Sequence, residues 1–368
     1  MVLILVEASY ADSIWCINLL EGLIIRLKQK RISFRQIHSL DEVEPNDDFI
    51  YLIGTNSQWQ EAALQACNAM GIYPILLGNQ AQHSFHAEYS TVCLDVVNSM
   101  QWLIELLAGM GMRRVALYGV NPMSSADDAR QEGYLTGIAR QGITRGKSDI
   151  FYNSGSLQTC FDVFSRRQHE YDAVICVNEL AAVSLVRHLG FEECNQTLPL
   201  IISCADSWLS QFYTGKLLQI RGNFDARARA SVELLESLRR NPDLSHIIMT
   251  VRLDPSDLRY GIPQPLPKSA TPVSKVLPCI QDVFYEDAEL NEMMALEQLL
   301  RESTQADRMI LQSLLQGDSY QKIAETCFFT ESAIKYRVKK MVRICKVRCR
   351  GELCSLLKKY LPDPSQLV

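Results

Sequence analysis

From Lys335 to Arg350 the chain carries eight basic residues and no acid. Ile334, Val338, Met341 and Cys345 recur there at i, i+4, i+7 and i+11, a buried helical stripe. The opposite face carries Lys335, Arg337, Lys339, Lys340 and Arg343. A cationic helix face neutralises phosphates, and lodged in a major groove it reads base edges. The residues in front strengthen this reading. Asp318 or Ser319 can cap a short helix around Ile323 and Ala324. Cys327-Phe328-Phe329 reads as a turn, and Thr330 can cap the basic helix. A short helix, a tight turn and a basic second helix form a helix-turn-helix pattern. The bland alternative is a solvated basic face on an ordinary helix.

Other chemistry-bearing patterns are scarce. The chain has no P-loop, G-x-S-x-G, H-E-x-x-H or C-x-x-C motif. Its 12 cysteines are scattered, so they read as reduced core thiols. Cys345, Cys349 and Cys354 are clustered but lack a fourth ligand, and no histidine follows His246. His83 and His86 sit in a polar stretch with no adjacent nucleophile pattern, which suits a surface loop. Gly109 and Gly111 follow a helical pattern and precede a strand, the reverse of a dinucleotide loop, and read as helix C-caps. The expectation is a protein that is not an enzyme and holds no metal or cofactor.

The elements that must position these residues follow from periodicity. Strands are expected at 2–6, 49–53, 73–77, 114–118, 173–176 and 200–203, where short apolar runs occur. Helical patterns fall between and after them, at 14–30, 57–70, 99–109, 127–141, 179–189 and 226–240. Such alternation argues for βαβ crossovers and parallel sheets covered on both faces. The units are too many for one ordinary sheet, so two similar lobes are expected. Five prolines between 262 and 278 block regular hydrogen bonding and mark a connection. Residues 287–301 then read as a helix, either packed on the body or serving as a linker or dimer helix.

The chain has 368 residues, 47% hydrophobic and 21% charged, which is globular composition. Charge is unevenly spread. Leu300–Tyr360 holds 13 Lys/Arg and 6 Asp/Glu, a net of +7, so the whole-chain −5 leaves −12 for the remainder. A basic tail module on an acidic body fits a nucleic-acid partner at one end only. The opening apolar run lacks a positive flank and is interrupted by Glu7 and Asp12, so it reads as a buried strand and not a signal sequence. No stretch approaches the roughly 20 apolar residues of a membrane span. A cytoplasmic protein without membrane contact is expected.

Two families are suggested by longer motifs. Gly317-Asp318-Ser319-Tyr320-Gln321-Lys322-Ile323-Ala324-Glu325, followed by Thr330 through Met341, resembles the helix-turn-helix of LuxR-type regulators. Ala333 and Arg337 depart conservatively from that pattern. By this resemblance Lys335, Tyr336 and Lys339 would face base edges, while Arg337, Lys340 and Arg343 would meet phosphates. The body resembles the ligand domain of LacI-type repressors, which shares the type 1 periplasmic-binding-protein fold. Three segments carry the likeness: Val92-Cys93-Leu94-Asp95 through Met110-Gly111-Met112-Arg113-Arg114-Val115; Ala129-Arg130-Gln131-Glu132-Gly133-Tyr134; and Asp172 through Ala182 with Asn178-Glu179 at its centre.

The resemblance implies a two-lobed α/β ligand-binding domain over 1–260, a connection with a linker helix over 261–303, and an all-α helix-turn-helix domain over 304–360. It implies a small-molecule effector in the interlobe cleft, double-stranded DNA as partner, and a homodimer. By position Trp15 would stack on the ligand, Asn178 and Glu179 would bind hydroxyls, and Asp95 and Asp206 would complete the site. A core tryptophan and a simple helix cap remain open for Trp15 and Asn178. Asp128 would stand where the family has a cleft arginine, and Gly222 where it has a glutamine. An added acid and a lost arginine would favour an amino-bearing ligand over an ordinary sugar. Two alternatives stand beside this reading. A phosphoacceptor receiver would need an acidic pair after the first strand, where only Glu7 occurs. A binding protein whose basic tail serves assembly would need no DNA.

Overall fold

The computed structural model describes residues 1–78, 87–143, 149–190, 198–205, 207–213, 215–220, 223–241, 243–252 and 283–367. His83, His86, Asp206, Gly222 and the proline-rich stretch lie outside the described residues. The first lobe is built from β1 (Val2–Val6), α1 (Ile14–Gln29), β2 (Phe34–Ile37), β3 (Phe49–Ile53), α2 (Ser57–Ala69), β4 (Tyr73–Leu77) and β5 (Ser90–Leu94). The chain then crosses over. α3 (Val96–Gly109), β6 (Val115–Val120), α4 (Ser125–Arg140), β7 (Ile150–Tyr152), α5 (Leu157–Ser165), β8 (Ala173–Cys176), α6 (Glu179–Leu189), β9 (Leu200–Ser203) and β10 (Leu218–Gln219) form the second lobe. α7 (Phe224–Arg240) and β11 (Ile248–Val251) return to the first, where α7 lies along α1.

Both sheets are wholly parallel, in the orders β11-β5-β4-β3-β1-β2 and β10-β9-β8-β6-β7. The central strands are buried on both faces, which is why β1 and β6 are unbroken apolar runs. Val2 and Ile4 pack with α1 and α7, whereas Leu3 and Leu5 pack with α2 on the other face. The two-lobed, doubly wound architecture expected from the alternating pattern is the observed one.

Capping residues start nearly every helix that begins at a strand end. Ser13, Asn56, Asp95, Ser124, Asn178 and Asn223 each accept a backbone N–H two or three residues on. Gly111, at φ +85°, closes α3 as the sequence suggests: its own N–H reaches the Ala108 carbonyl and the Met112 N–H reaches Leu107. The ten described cysteines are all unbridged.

The C-terminal part consists of α8 (Ala288–Glu302), α9 (Gln305–Leu315), α10 (Tyr320–Cys327), α11 (Glu331–Ile344) and α12 (Arg350–Tyr360). It is not a separate bead. One continuous core joins second-lobe residues such as Phe164, Leu185 and Leu209 to Leu290, Met293 and Leu296 of α8, and to Ile310, Ile334 and Leu357 beyond it. α8 is therefore a packing helix, not a free linker. The Tyr213 hydroxyl donates to the Tyr360 carbonyl at 2.8 Å, and Arg187 pairs with Glu289.

Glu297 fastens α8 to the second lobe, accepting the Trp208 and Leu209 N–H groups at 2.8 and 2.6 Å. Burial outweighs these donors and pushes its carboxyl up to about 7 from an ordinary 4.5. A raised acid favours its protonated form in the folded chain. Its contribution is complete below about pH 4.5 and is lost as pH rises through about 7. Glu297→Gln imitates the protonated form. In urea unfolding, its stability relative to the wild type is expected to improve steadily between these pH values. A pH-independent difference would show that Glu297 stays charged.

Candidate functional site: the interlobe cleft and the basic helix

A cleft of about 820 Å³, open solvent at its mouth included, lies between the lobes. The carboxyl ends of strands from both sheets converge on it, the usual ligand position in doubly wound folds. Gly54 and Thr55 after β3, Leu77 and Gly78 after β4, Asn121 and Ser124 after β6, Asn178 after β8, and Cys204 and Ala205 after β9 line it. Gly54 is required there, because a Cβ would stand 2.6 Å from a Glu7 carboxylate oxygen and 2.7 Å from the Trp59 ring. Aromatic surface comes from Tyr10, Trp15, Phe224, Phe284 and Tyr285. Tyr10 and Trp15 are stacked, centroids 6.4 Å apart and 12° from parallel.

The lobes touch on two sides of this space. The Ser125 N–H and hydroxyl donate to the Thr55 carbonyl at 2.9 and 3.1 Å. The Trp15 indole N–H donates to Glu179 at 3.1 Å, joining the start of α1 to the start of α6. Trp15 thus lines the cleft and also ties the lobes together. Glu179 is fully buried at that tie and is not among the lining residues.

Asn178 resolves the choice between cap and ligand contact by serving as cap while lining the cleft. Its Oδ1 accepts the Ala181 N–H at 2.8 Å, which leaves its amide nitrogen for the cavity. Asn178→Ser keeps a capping oxygen and loses the amide. It is expected to unfold within about 0.5 kcal/mol of wild type. A hydroxyl-bearing ligand identified by calorimetry should bind it roughly tenfold more weakly. Asn178→Ala should lose both, with about 1 kcal/mol off stability in urea unfolding. Equal ligand affinity in all three proteins would remove Asn178 from the site.

Two residues expected in the site lie outside the lining of the cleft. Asp95 caps α3, accepting the Asn98 N–H at 3.4 Å and its side-chain amide at 2.9 Å; its neighbours Leu94 and Val96 line the cleft and Asp95 does not. Asp128 is also outside the lining, because α4 turns Asp127 and Arg130 inward instead. Arg130 pairs with Asp127 at 2.6 Å. Burial pulls the guanidinium down, but the Asp127 carboxylate more than offsets this and the net shift is upward. Arg130 of the Arg130-x-x-Gly133-Tyr134 motif thus places an arginine in the cleft, three residues before Gly133. Arg227 of α7 is a second cleft arginine that no sequence motif signalled. The charged residues of the described lining are Asp127, Arg130 and Arg227, so it shows no excess of acid toward an amino-bearing ligand.

At the other end, α10 and α11 are joined by a short turn in which Phe328 is a left-handed residue (φ 56°). Tyr336 is 74% exposed, and Lys339 and Arg343 follow it on the same exposed face with no ion pair among the described residues. Lys335 is exposed and pairs with Glu331 at 2.6 Å, while Lys340 reaches Glu302 of α8 at 3.3 Å. Arg337 departs from the phosphate role expected of it. It is half-buried, bonded to Asp307 at 2.6 Å and seated on the Phe329 ring at 4.8 Å. Among the described residues no cluster could hold a metal, and no helix is long and apolar enough to cross a membrane.

No protein-family model matches the sequence, and no curated protein does. Solved structures do match. A CelR transcriptional regulator in complex with cellobiose aligns with a TM-score of 0.57 at 14% identity, over 68% of this chain and 81% of its own. The Lac repressor bound to ONPG aligns with a TM-score of 0.55 at 15% identity, over 69% and 80%. A LacI-family regulator from Enterococcus faecium with bound ribose gives 0.51 at 18% identity, over 68% and 95%. At these identities the shared property is the fold: a two-lobed, periplasmic-binding-protein-like α/β domain of the LacI type, accompanied here by a C-terminal helical region.

Proposed function

We propose that this chain is a ligand-responsive, DNA-binding transcriptional regulator. A sugar-type small molecule is taken into the interlobe cleft, and DNA is read by α11 of a LuxR-type helix-turn-helix. The sensor spans 1–260, the connection 261–303 and the reader 304–360. The observation that carries this reading is continuity between cleft and reader. Phe284 and Tyr285 line the cleft, Asp287 next to them caps α8, and α8 shares one core with the helix-turn-helix. α8 also touches the first lobe, where Arg301 meets Glu21 of α1 at 3.2 Å. A ligand that favours one arrangement of the lobes thereby acts on the helix that seats the reader. In a homodimer, two readers would be respaced against paired half-sites.

The neighbours' own ligands, cellobiose, ONPG and ribose, support the sugar-type reading of the cleft. One observation favours the assembly alternative: Phe328, in the turn beside the basic face, is 94% exposed and would suit a protein contact. Selection of genomic fragments by the full chain, followed by anisotropy titration of the recovered DNA across a salt series, separates the two. The regulator reading predicts a steep fall of affinity with salt, with a log–log slope of about −0.9 per phosphate contacted. Recovery of no fragment, with concentration-dependent self-association instead, would favour assembly.

A further inference from the structure

Arg227 stands in the first turn of α7 and is only 8% exposed. Its Nε is enclosed with no acceptor, and among the described residues its guanidinium makes no hydrogen bond and no ion pair. The nearby acids are engaged elsewhere. Asp225 faces outward to Arg26 at 2.6 Å and Arg229 at 2.8 Å. Asp127 holds Arg130 and the Asn121 N–H. Glu7 accepts the Thr55 and Asn56 N–H groups at 2.8 and 3.0 Å. A buried cation without a partner is costly, and a place near the positive end of a helix adds to the cost. Burial accordingly lowers its pKa. With Asp127 neutralising Arg130, the described lining keeps one uncompensated positive charge, and it opens onto the cleft.

We infer that Arg227 is an anion subsite, and that the ligand of this cleft carries a carboxylate or a phosphate on a hydroxylated body: a sugar acid or a sugar phosphate. The anion supplies the acceptors that Arg227 lacks, while Asn178, Ser124 and the Asp127–Arg130 pair face the hydroxyls. The inference rests on the cleft being the sensor site, and it names the chemical class that site takes.

The test uses the full chain, by calorimetry and thermal unfolding in a buffer without phosphate. D-gluconate and D-glucose 6-phosphate are compared with D-glucose and D-glucosamine, and inorganic phosphate and acetate are titrated at matched ionic strength. At least one class of anion should bind, with its sugar form roughly 10- to 100-fold tighter than glucose, and glucosamine should bind no better than glucose. The gluconate and glucose 6-phosphate arms, with acetate and phosphate, tell a carboxylate site from a phosphate site. Arg227→Met should lose the anion preference and, without ligand, should unfold at a higher temperature than wild type, because it removes an uncompensated buried charge. Arg227→Lys should keep part of the preference. The inference is overturned if no anion binds, if glucose or glucosamine binds as tightly as the acids, or if Arg227→Met lowers ligand-free stability and leaves relative affinities unchanged. DNA binding is scored separately. Acids that bind the cleft without altering DNA affinity would retain the anion subsite and refute the regulator reading.

Discussion

The double variant Lys339→Glu/Arg343→Glu is expected to lose DNA binding while folding normally. Both side chains are exposed on α11, and neither has an ion pair among the described residues. Their replacement leaves no buried group unsatisfied, so urea unfolding should shift by less than about 1 kcal/mol. On DNA, two attractive contacts become repulsive. Affinity should fall at least ~100-fold at moderate salt, and the salt slope should flatten by about 2. Arg337→Ala should behave in the opposite way. It breaks the 2.6 Å pair with Asp307 and the stack on Phe329, so about 1–2 kcal/mol of stability is lost. Its salt slope should stay near that of wild type. If Arg337→Ala flattened the slope and the double variant did not, the assignment of faces on α11 would be wrong.

The second large effect is structural. Gly133→Ala should destabilise the second lobe by about 2–4 kcal/mol. Helix propensity alone predicts the reverse, since Ala is better than Gly inside a helix by about 1 kcal/mol. Packing overrides it here. A Cβ on Gly133 would stand 2.5 Å from the Val97 carbonyl oxygen and 2.7 Å from Met100 Cβ, both on α3. Gly137, one turn on, lies somewhat less tightly against Ile104, where a Cβ would stand 3.0 Å from the Ile104 Cβ. The pair lets α4 lie directly on the α3 backbone, and Tyr134 beside it sends its hydroxyl to the Val115 carbonyl at 2.9 Å. This seating aims Asp127 and Arg130 at the cleft. Gly109→Ala is the control, because a Cβ there meets nothing within 4 Å. Urea unfolding of both variants decides the matter; a Gly133→Ala protein as stable as Gly109→Ala would refute the close-packing account.

The motif Arg130-x-x-Gly133-Tyr134 thus combines a cleft cation, a packing notch and a buried anchor. Its spacing was legible in the sequence. Which residue of the turn faces the ligand was not, because Asp127, Asp128 and Arg130 differ only in helical phase. The six expected strands, β1, β3, β4, β6, β8 and β9, were legible for a physical reason: parallel strands covered on both faces are continuous apolar runs. β2 escaped because Phe34–Ile37 is a half-buried edge strand that includes Arg35 and Gln36. β10 is only two residues long and gives no period to read. Trp15 at the start of α1 and Asn178 just past β8 were singled out by the family resemblance, and both line the cleft. Arg227 was not, since a lone arginine in a helix carries no sign that its partners will be absent. The Arg337–Asp307 pair was not legible either, because Asp307 belongs to α9, 30 residues away.

The core shared by the second lobe and the C-terminal helices also changes how the proposed reader should be tested. Cutting the chain at the connection would strip Leu290, Met293 and Leu296 from the core they share with the second lobe. Point changes on the exposed face of α11 leave that core intact.

The most direct test of the central claim is the anisotropy of a selected DNA fragment bound to the full chain, measured across salt with and without the compound that calorimetry shows to fill the cleft. The account predicts a steep salt slope and a ligand-dependent change in affinity of about 5- to 150-fold, the usual range of coupling between sites. The same ligand should leave a Phe284→Ala/Tyr285→Ala protein's DNA affinity nearly unchanged. Salt-dependent DNA binding that ignores an occupied cleft would contradict the account.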